Sequence, residues 1–205
     1  MSPHTRAALL PVIVAAALAL SACATPAPSP GDGGFDRALR VDVVGQGTVI
    51  QLGDAAPELC LGAIAESYPP QCSGPELIGW DWTANDGSET ASDVTWGTYA
   101  VFGNWDGTAL TVDSAIMLAL YDTMPVVDPL ADEANAGRSS KQQLADIEDE
   151  IFDTAPVEVL SIFAQNGYLF VQVVHDDGSV QAWADQTYGA DVVAVRSALQ
   201  ALPEG

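Results

Sequence analysis

Apolar and polar residues alternate through much of residues 37–117, and this pattern predicts short β-strands. The clearest stretch is TWGTYAVFGNWDGTALTVDSA, in which two alternating runs meet at Asp106-Gly107. Asp-Gly between such runs is a strong local signal for a β-hairpin. Two more apolar runs surround Gly45 and Gly47, which favours a hairpin or a bulged strand. Strands of this length and spacing predict a small barrel or a sandwich.

A different pattern begins near residue 139. A serine cap at Ser139 or Ser140 opens a segment with helical spacing, which Pro156 ends. The apolar positions of this helix are Leu144, Ile147, Ile151 and Phe152. Two β-branched and aromatic runs then flank Asn166-Gly167, which is typical of a tight hairpin turn.

The end of the chain predicts a second helix and a final strand. Apolar residues at positions 180, 183, 184 and 188 recur at helical spacing, and Gly189 follows where a C-terminal glycine is expected. The run DVVAVRSALQAL is expected to be the last strand, although its second half could continue as helix. The predicted order of this unit is α-β-β-α-β.

The sequence therefore predicts an α+β protein with two folded units. Residues 37–117 form a mostly-β unit that loosely resembles an OB-type barrel with a disulfide-pinned loop. Residues 118–138 hold two prolines with several small or acidic residues and are expected to be a linker. Residues 139–205 form the compact α-β-β-α-β unit.

The N-terminus has the pattern of an export signal. Arg6 precedes a run of fourteen uncharged residues, 7–20. This run is too short to span a bilayer, because a membrane-spanning helix needs about 20 apolar residues. The run ends in Leu20-Ser21-Ala22-Cys23, which resembles the lipobox of bacterial lipoproteins. The resemblance implies that residues 1–22 are removed and that Cys23 carries a diacylglyceryl group at the mature N-terminus.

A lipid on Cys23 would anchor the protein at the extracytoplasmic face of the cell membrane, since two acyl chains suffice for stable anchoring. The alternative is an ordinary secretory signal with an incidental cysteine. Residues 23–36 are rich in proline and glycine. They are expected to be a disordered tether, because they cannot bury enough apolar surface to offset their ordering entropy.

Cys60 and Cys72 are the two thiols that remain once Cys23 is acylated. In an exported protein an even number of cysteines favours a disulfide, and closing this loop would stabilise the fold by about 3 kcal/mol. Two cysteines with no histidine nearby would leave a zinc ion under-coordinated, and a redox pair is more typically C-x-x-C. We therefore predict a structural disulfide.

Charge narrows the choice of partners. The chain has 28 Asp and Glu against 6 Lys and Arg, a net charge of −22 at pH 7. Nucleic acid and anionic lipid surfaces would be repelled at long range. A solubilising surface is the favoured interpretation of this excess, with weak divalent-cation binding or a basic protein partner as alternatives.

Trp80 and Trp82 are the candidate binding surface, because they would share one face if their segment is extended. Such a pair could form a platform for a sugar or a peptide. Packing is the favoured alternative, since each large aromatic side chain buries about 150 to 250 Å².

No pattern of catalytic or metal-binding residues stands out. His175, the only histidine outside the signal, has no G-x-S-x-G or S-x-x-K motif to support a nucleophile. The acids around Gly87 miss the EF-hand spacing, because Trp82 falls at the first ligand position, although an irregular calcium loop remains an alternative. We predict no catalytic residue, no metal and no cofactor.

The runs CLG, ESYPPQC and GWDW, together with residues 139–205, resemble segments of exported lipoproteins from bacteria with GC-rich genomes. That resemblance implies export and no particular activity. The favoured function is a membrane-tethered binding or accessory module for an envelope protein. The alternatives are a structural spacer and an envelope hydrolase, which would need two converging carboxylates.

Overall fold

The computed structural model describes residues 41–122 and 128–202. These residues form ten β-strands and two α-helices, which confirms a mixed α+β protein that is mostly β. Six strands come first: β1 (Val41–Leu52), β2 (Glu58–Cys60), β3 (Glu76–Ile78), β4 (Glu89–Ala91), β5 (Val94–Trp105) and β6 (Ala109–Met117).

Five of these strands close into a small barrel. They are hydrogen-bonded in the order β1-β2-β3-β6-β5, and β5 pairs back to β1. The β3–β6 pair is parallel and the other four pairs are antiparallel. The closed ring of five strands agrees with the expected OB-type barrel and excludes the sandwich. β4 extends the sheet beyond the ring by pairing with the start of β5.

Alternate residues of the two longest strands face the barrel interior. Val43 and Val49 from β1 and Tyr99 and Val101 from β5 are at most 1% exposed and belong to one apolar core. The remaining buried members of that core are Leu59, Leu77, Trp105, Leu110 and Leu199. Removing these side chains from water is the main force that holds the barrel together.

The expected hairpin or bulge around Gly45 and Gly47 is wrong. β1 is a single strand that pairs with β5 at all twelve of its residues without a shift of register. The glycines are needed for close approach, because a Cβ at position 45 would lie 2.6 Å from the Leu199 side chain and one at position 47 would lie 2.1 Å from the Cys60 carbonyl oxygen. The bulge of this sheet lies instead between Phe102 and Gly103.

The second unit has the predicted order of elements. Its elements are α1 (Lys141–Thr154), β7 (Val159–Gln165), β8 (Tyr168–Val173), α2 (Ser179–Tyr188) and β9 (Val193–Ser197). β7 and β8 are antiparallel across Asn166-Gly167, where both residues have the positive φ of a tight hairpin turn. β9 lies parallel to β8, with α2 as the connection between them.

Both helices pack against one face of this sheet. Leu144, Ile147 and Ile151 from α1 lie in a core with Val180 and Ala184 from α2. Ser140 caps α1 by accepting a hydrogen bond from the Gln143 N–H, and Gly189 ends α2 with a φ of 98°. Phe152, which we expected in the core, is 59% exposed, because one residue beyond Ile151 is a turn of about 100° around the helix.

Of the described part of residues 118–138, residues 128–138 cover the opposite face of the same sheet, whereas residues 118–122 lie beside β5 of the barrel. The described part contains three short 3-10 helices: Leu118–Leu120, Pro129–Ala131 and Glu133–Asn135. Leu130 packs against Tyr168 and Phe170, and the Asn166 side-chain amide donates to the carbonyl oxygens of Leu130 and Asp132. Residues 128–138 of the expected linker are therefore built into the second unit.

The last strand joins the two units. β10 (Gln200–Ala201) leaves β9 and pairs with Val43 and Val44 of β1. Leu199, just before it, is fully buried in the barrel core, and its N–H donates to the carbonyl oxygen of Val174. One leucine from the end of the chain thus completes the interior of the first unit.

The pair of Asp128 and Arg196 anchors the covering segment and predicts a pH-dependent stability. Arg196 donates from Nε and Nη2 to the two carboxylate oxygens of Asp128, at 2.5 and 3.1 Å. The guanidinium holds the pKa of Asp128 below its usual value. Because the pKa of Asp128 is lower in the folded protein than in the unfolded chain, the ion pair stabilises the fold fully only when the pH is above the unfolded-state pKa of about 3.9. This stabilisation is lost as the pH falls through the folded-state pKa.

Asp128→Asn should therefore lower the free energy of unfolding by at most about 1 kcal/mol at pH 7, since both side chains are partly exposed, and by progressively less as the pH falls below about 3.9. Urea unfolding across this pH range is the measurement. Asp132→Asn is the matched control, because Asp132 caps the next 3-10 helix without a described cationic partner. An equal loss at both ends of the pH range would contradict the role of the ion pair.

Candidate functional site

Cys60 and Cys72 form a disulfide, as the sequence predicts, with a Cα–Cα distance of 5.9 Å. Cys60 ends β2 and is 2% exposed, so one end of the loop is fixed in the barrel wall. The other end returns to β3, where the Gly74 N–H donates to the Glu58 carboxylate. The loop between the two cysteines therefore cannot move far from the outer surface of the barrel.

Hydrogen bonds within this loop give it a defined shape. Ala65 and Gln71 form an isolated antiparallel bridge, in which the Ala65 N–H donates to the Gln71 carbonyl oxygen at 3.0 Å. The Ser67 hydroxyl donates to the Pro69 carbonyl oxygen and accepts from the Gln71 side-chain amide. The residues at the tip are thus held in place before any partner arrives, which reduces the entropy lost on binding.

Tyr68 stands at the tip of this loop against the outer wall of the barrel. Its ring meets the ring of Trp96 edge-on, with centroids 5.3 Å apart, yet Tyr68 is 73% exposed. On the same wall, the register of β1 and β5 places Leu52 opposite Val94, two residues from Trp96. We call Leu52, Tyr68, Val94 and Trp96 the Tyr68 face.

Carboxylates surround the Tyr68 face. Glu89 is the cross-strand neighbour of Trp96 in the β4–β5 pair, so both side chains lie on the same side of the sheet. The Gly53 N–H donates to the Asp93 carbonyl oxygen, which brings the turn that carries Asp54 beside the turn that carries Asp93. Glu66 is exposed on the disulfide loop itself. The surface combines apolar rings with a negatively charged rim.

Trp80 and Trp82 lie in the loop after β3 and not on a strand. Both are half-buried and pack against the barrel core, with Trp80 edge-on to Trp82 at 5.2 Å and to Tyr99 at 5.0 Å. The indole N–H of Trp82 donates to the Gln51 side chain, whereas the buried Trp80 Nε1 has no hydrogen-bond partner among the described residues. The two indoles form a packed cluster over Tyr99.

Tyr99 ties the loop that carries these tryptophans to the barrel. Its hydroxyl donates to the carbonyl oxygen of Asp86 at 3.0 Å. Burial, with a smaller effect of the Asp86 charge, raises the pKa of Tyr99. Because its hydroxyl stays protonated at any ordinary pH, this hydrogen bond holds the loop across the physiological range.

His175 lies in an open cleft of about 530 Å³ between the two units. Trp105 lines the barrel side of the cleft, and Glu158 and Asp177 lie on the side of the second unit. Hydrogen bonds from the Ser179 hydroxyl and N–H hold the pKa of Asp177 below its usual value, and an electrostatic interaction with the nearby His175 acts in the same direction. No nucleophile is hydrogen-bonded to His175 in the described structure.

The N-terminus of α2, beside this cleft, does not offer a binding site for an anion. The Asp176 carboxylate accepts hydrogen bonds from the N–H groups of Gly178, Val180 and Gln181. Asp177 accepts from the Ser179 N–H. The N–H groups that would attract a phosphate are therefore already occupied by fixed negative charge.

The acids around Gly87 do not converge. Both contacts of the Asp81 carboxylate oxygen Oδ1 are local, to the N–H and the hydroxyl of Thr83, and these hydrogen bonds lower the pKa of Asp81. Across residues 41–122 and 128–202, no three His, Cys, Asp or Glu side chains are placed to share a metal ion.

Sequence reasoning missed the Tyr68 face. Its members come from three distant segments, and the register between β1 and β5 that brings Leu52 beside Val94 cannot be read from either strand alone. One signal was present: Tyr68 precedes two prolines inside a loop that two cysteines close. Cys23 lies outside the described residues, and none of the described helices is long and apolar enough to cross a bilayer.

Neither a family model, nor a curated protein, nor a solved structure matches this chain.

Proposed function

We propose that this chain is an exported, lipid-anchored protein of the cell envelope, and that its folded part is a binding or accessory module for another envelope protein. The lipobox-like Leu20-Ser21-Ala22-Cys23 supports the anchor at the extracytoplasmic face. The Cys60–Cys72 disulfide supports export independently, because disulfides persist in oxidising compartments and are rare in the cytoplasm.

The observation that carries the binding role is the exposure of Tyr68 on a rigid loop. Tyrosine is enriched in protein interfaces and among the residues that contribute most to binding. An aromatic ring that only served packing would turn into the core, as Tyr99 does with 1% exposure. Tyr68 instead leaves 73% of its surface to solvent, although the disulfide and four hydrogen bonds within its loop hold the loop in place.

The anchor is tested by replacing Cys23. Metabolic labelling with an alkyne-bearing fatty acid should mark the wild-type protein, and Cys23→Ala should lose the label and leave the membrane fraction. Ser29→Ala in the tether is the control and should keep both the label and the fractionation. Absence of label from the wild type, or retention of label by Cys23→Ala, would refute lipid attachment at this cysteine.

The binding role is tested by crosslinking in living cells. A photo-reactive phenylalanine analogue placed at position 68 should give one main protein adduct, since Tyr68 would lie in the interface. The same analogue at position 152 is the matched control, because Phe152 is also an exposed aromatic residue but lies on the second unit. If position 68 gives no adduct beyond that of position 152, the structural spacer becomes the better description.

A further inference from the structure

We propose that the Tyr68 face binds a protein segment rich in arginine and lysine. This inference rests on the proposed binding function and names the chemistry of the partner. Three observations support it: the acidic charge of the barrel unit, the carboxylates around the aromatic rings, and the repulsion that these charges exert on other acidic or anionic surfaces.

The described part of the barrel unit, residues 41–122, has no basic side chain. Residues 41–122 contain twelve Asp and Glu residues and no Lys, Arg or His. They are Asp42, Asp54, Glu58, Glu66, Glu76, Asp81, Asp86, Glu89, Asp93, Asp106, Asp113 and Asp122. The Lys and Arg residues of the described chain, namely Arg138, Lys141 and Arg196, all belong to the other part of the protein, and Arg196 is already paired with Asp128. The negative electrostatic potential of such a surface attracts a cationic partner and accelerates its association.

The residues of the Tyr68 face can also make short-range contacts with the side chains of a cationic partner. Arginine and lysine side chains are attracted to the faces of Tyr and Trp rings. Tyr68 is mostly exposed, and Trp96 behind it is half-buried, so a ring surface is available to solvent. Glu89, beside Trp96, and Glu66, on the loop, can each accept charge-assisted hydrogen bonds from a guanidinium that lies on the rings.

Other occupants of this face are disfavoured by the same charges. A second copy of the chain would bring another strongly acidic barrel surface against the first, and like charges in an interface oppose association. Nucleic acid and anionic lipid would meet the same repulsion. A neutral apolar segment would cover the rings but would leave the surrounding carboxylates partly desolvated and unpaired, which is costly.

The inference is tested with a defined probe. The mature chain carrying Cys23→Ala, so that no lipid is attached, is titrated with a twelve-residue peptide of alternating arginine and glycine, and binding is followed by calorimetry. The peptide should bind at low ionic strength, and its affinity should fall by about tenfold when salt rises from about 20 to 300 mM. The matching peptide of glutamate and glycine should not bind.

Variants then locate the site. Tyr68→Ser should weaken binding of the arginine peptide by about fivefold, and Glu89→Gln by about twofold to threefold. The matched controls are Phe152→Ser and Glu150→Gln on α1, which should each change the affinity by less than about twofold. If the controls lost as much affinity for the arginine peptide as the Tyr68-face variants, the attraction would be diffuse and the assignment to the Tyr68 face would be overturned. Absence of binding by the wild type would overturn it as well.

The crosslinking described above separates this inference from the function on which it rests. The crosslinked peptide of the partner, identified by mass spectrometry, should carry several Arg or Lys residues. An adduct on a neutral or acidic segment would leave the binding function standing and overturn the cationic partner. Absence of an adduct at position 68 would remove both.

Discussion

Leu199→Ala should lower the free energy of unfolding by about 2 to 5 kcal/mol. Leu199 is fully buried in the barrel core, although it follows the second unit in the sequence. Its side chain fills the space that Gly45 leaves open beside Leu59. Truncation to alanine removes apolar contacts and leaves a cavity that the paired strands around it can close only in part.

Leu120→Ala is the control for this substitution, because Leu120 is 76% exposed and its truncation should change stability by less than about 0.5 kcal/mol. Chemical unfolding followed by tryptophan fluorescence is the measurement. Leu199 contacts the barrel from the end of the chain, so the loss should appear in the transition of the tryptophan-rich first unit. A loss no greater than that of Leu120→Ala would contradict the role of Leu199 in joining the units.

Removing the disulfide should also have a large effect on stability. The double variant Cys60→Ala/Cys72→Ala should lose about 3 kcal/mol, because the open loop gains conformational entropy in the unfolded state. Alanine is preferred to serine here, since Cys60 is 2% exposed and a hydroxyl would be buried at that position. Urea unfolding of the variant, compared with the oxidised wild type, measures the difference.

The wild type under reducing conditions provides the internal comparison and should unfold close to the double variant. The variant should also bind the arginine peptide more weakly than the wild type, because the loop that presents Tyr68 would no longer be held at Cys72. If stability fell and binding stayed the same, the disulfide would brace the barrel without shaping the Tyr68 face. Unchanged stability would contradict the expected role of the disulfide in the unfolded chain.

Trp80 and Trp82 show how an interface candidate changes once the fold is known. The sequence offered them as a same-face pair on a strand, with packing as the favoured alternative. In the structure they lie in a loop, edge-on to one another, and contact Tyr99 over the barrel core. Tyr68 and Trp96, which no motif marks, present more aromatic surface at the outer wall, with Tyr68 alone 73% exposed.

The sequence by itself determined the features that depend on neighbouring residues. The hairpin turns at Asp106-Gly107 and Asn166-Gly167, the cap at Ser140 and the end of α2 at Gly189 all follow from backbone preferences within a few positions. The Cys60–Cys72 disulfide was predictable for a related reason, because Cys23 was expected to carry a lipid, which leaves these two cysteines, twelve positions apart, to pair. The order of elements in the second unit follows from local periodicity.

Only the tertiary structure decided which distant residues meet. The pairing of β1 with β5 along twelve residues, the insertion of Leu199 beside Gly45, and the contact of Tyr68 with Trp96 join segments from separate parts of the chain. Each depends on strand register and on closure of the barrel. The alternation of apolar and polar residues along a strand specifies neither of these. The acidic charge of the first unit was visible in the sequence, whereas its arrangement around one exposed aromatic face follows from the way the barrel closes.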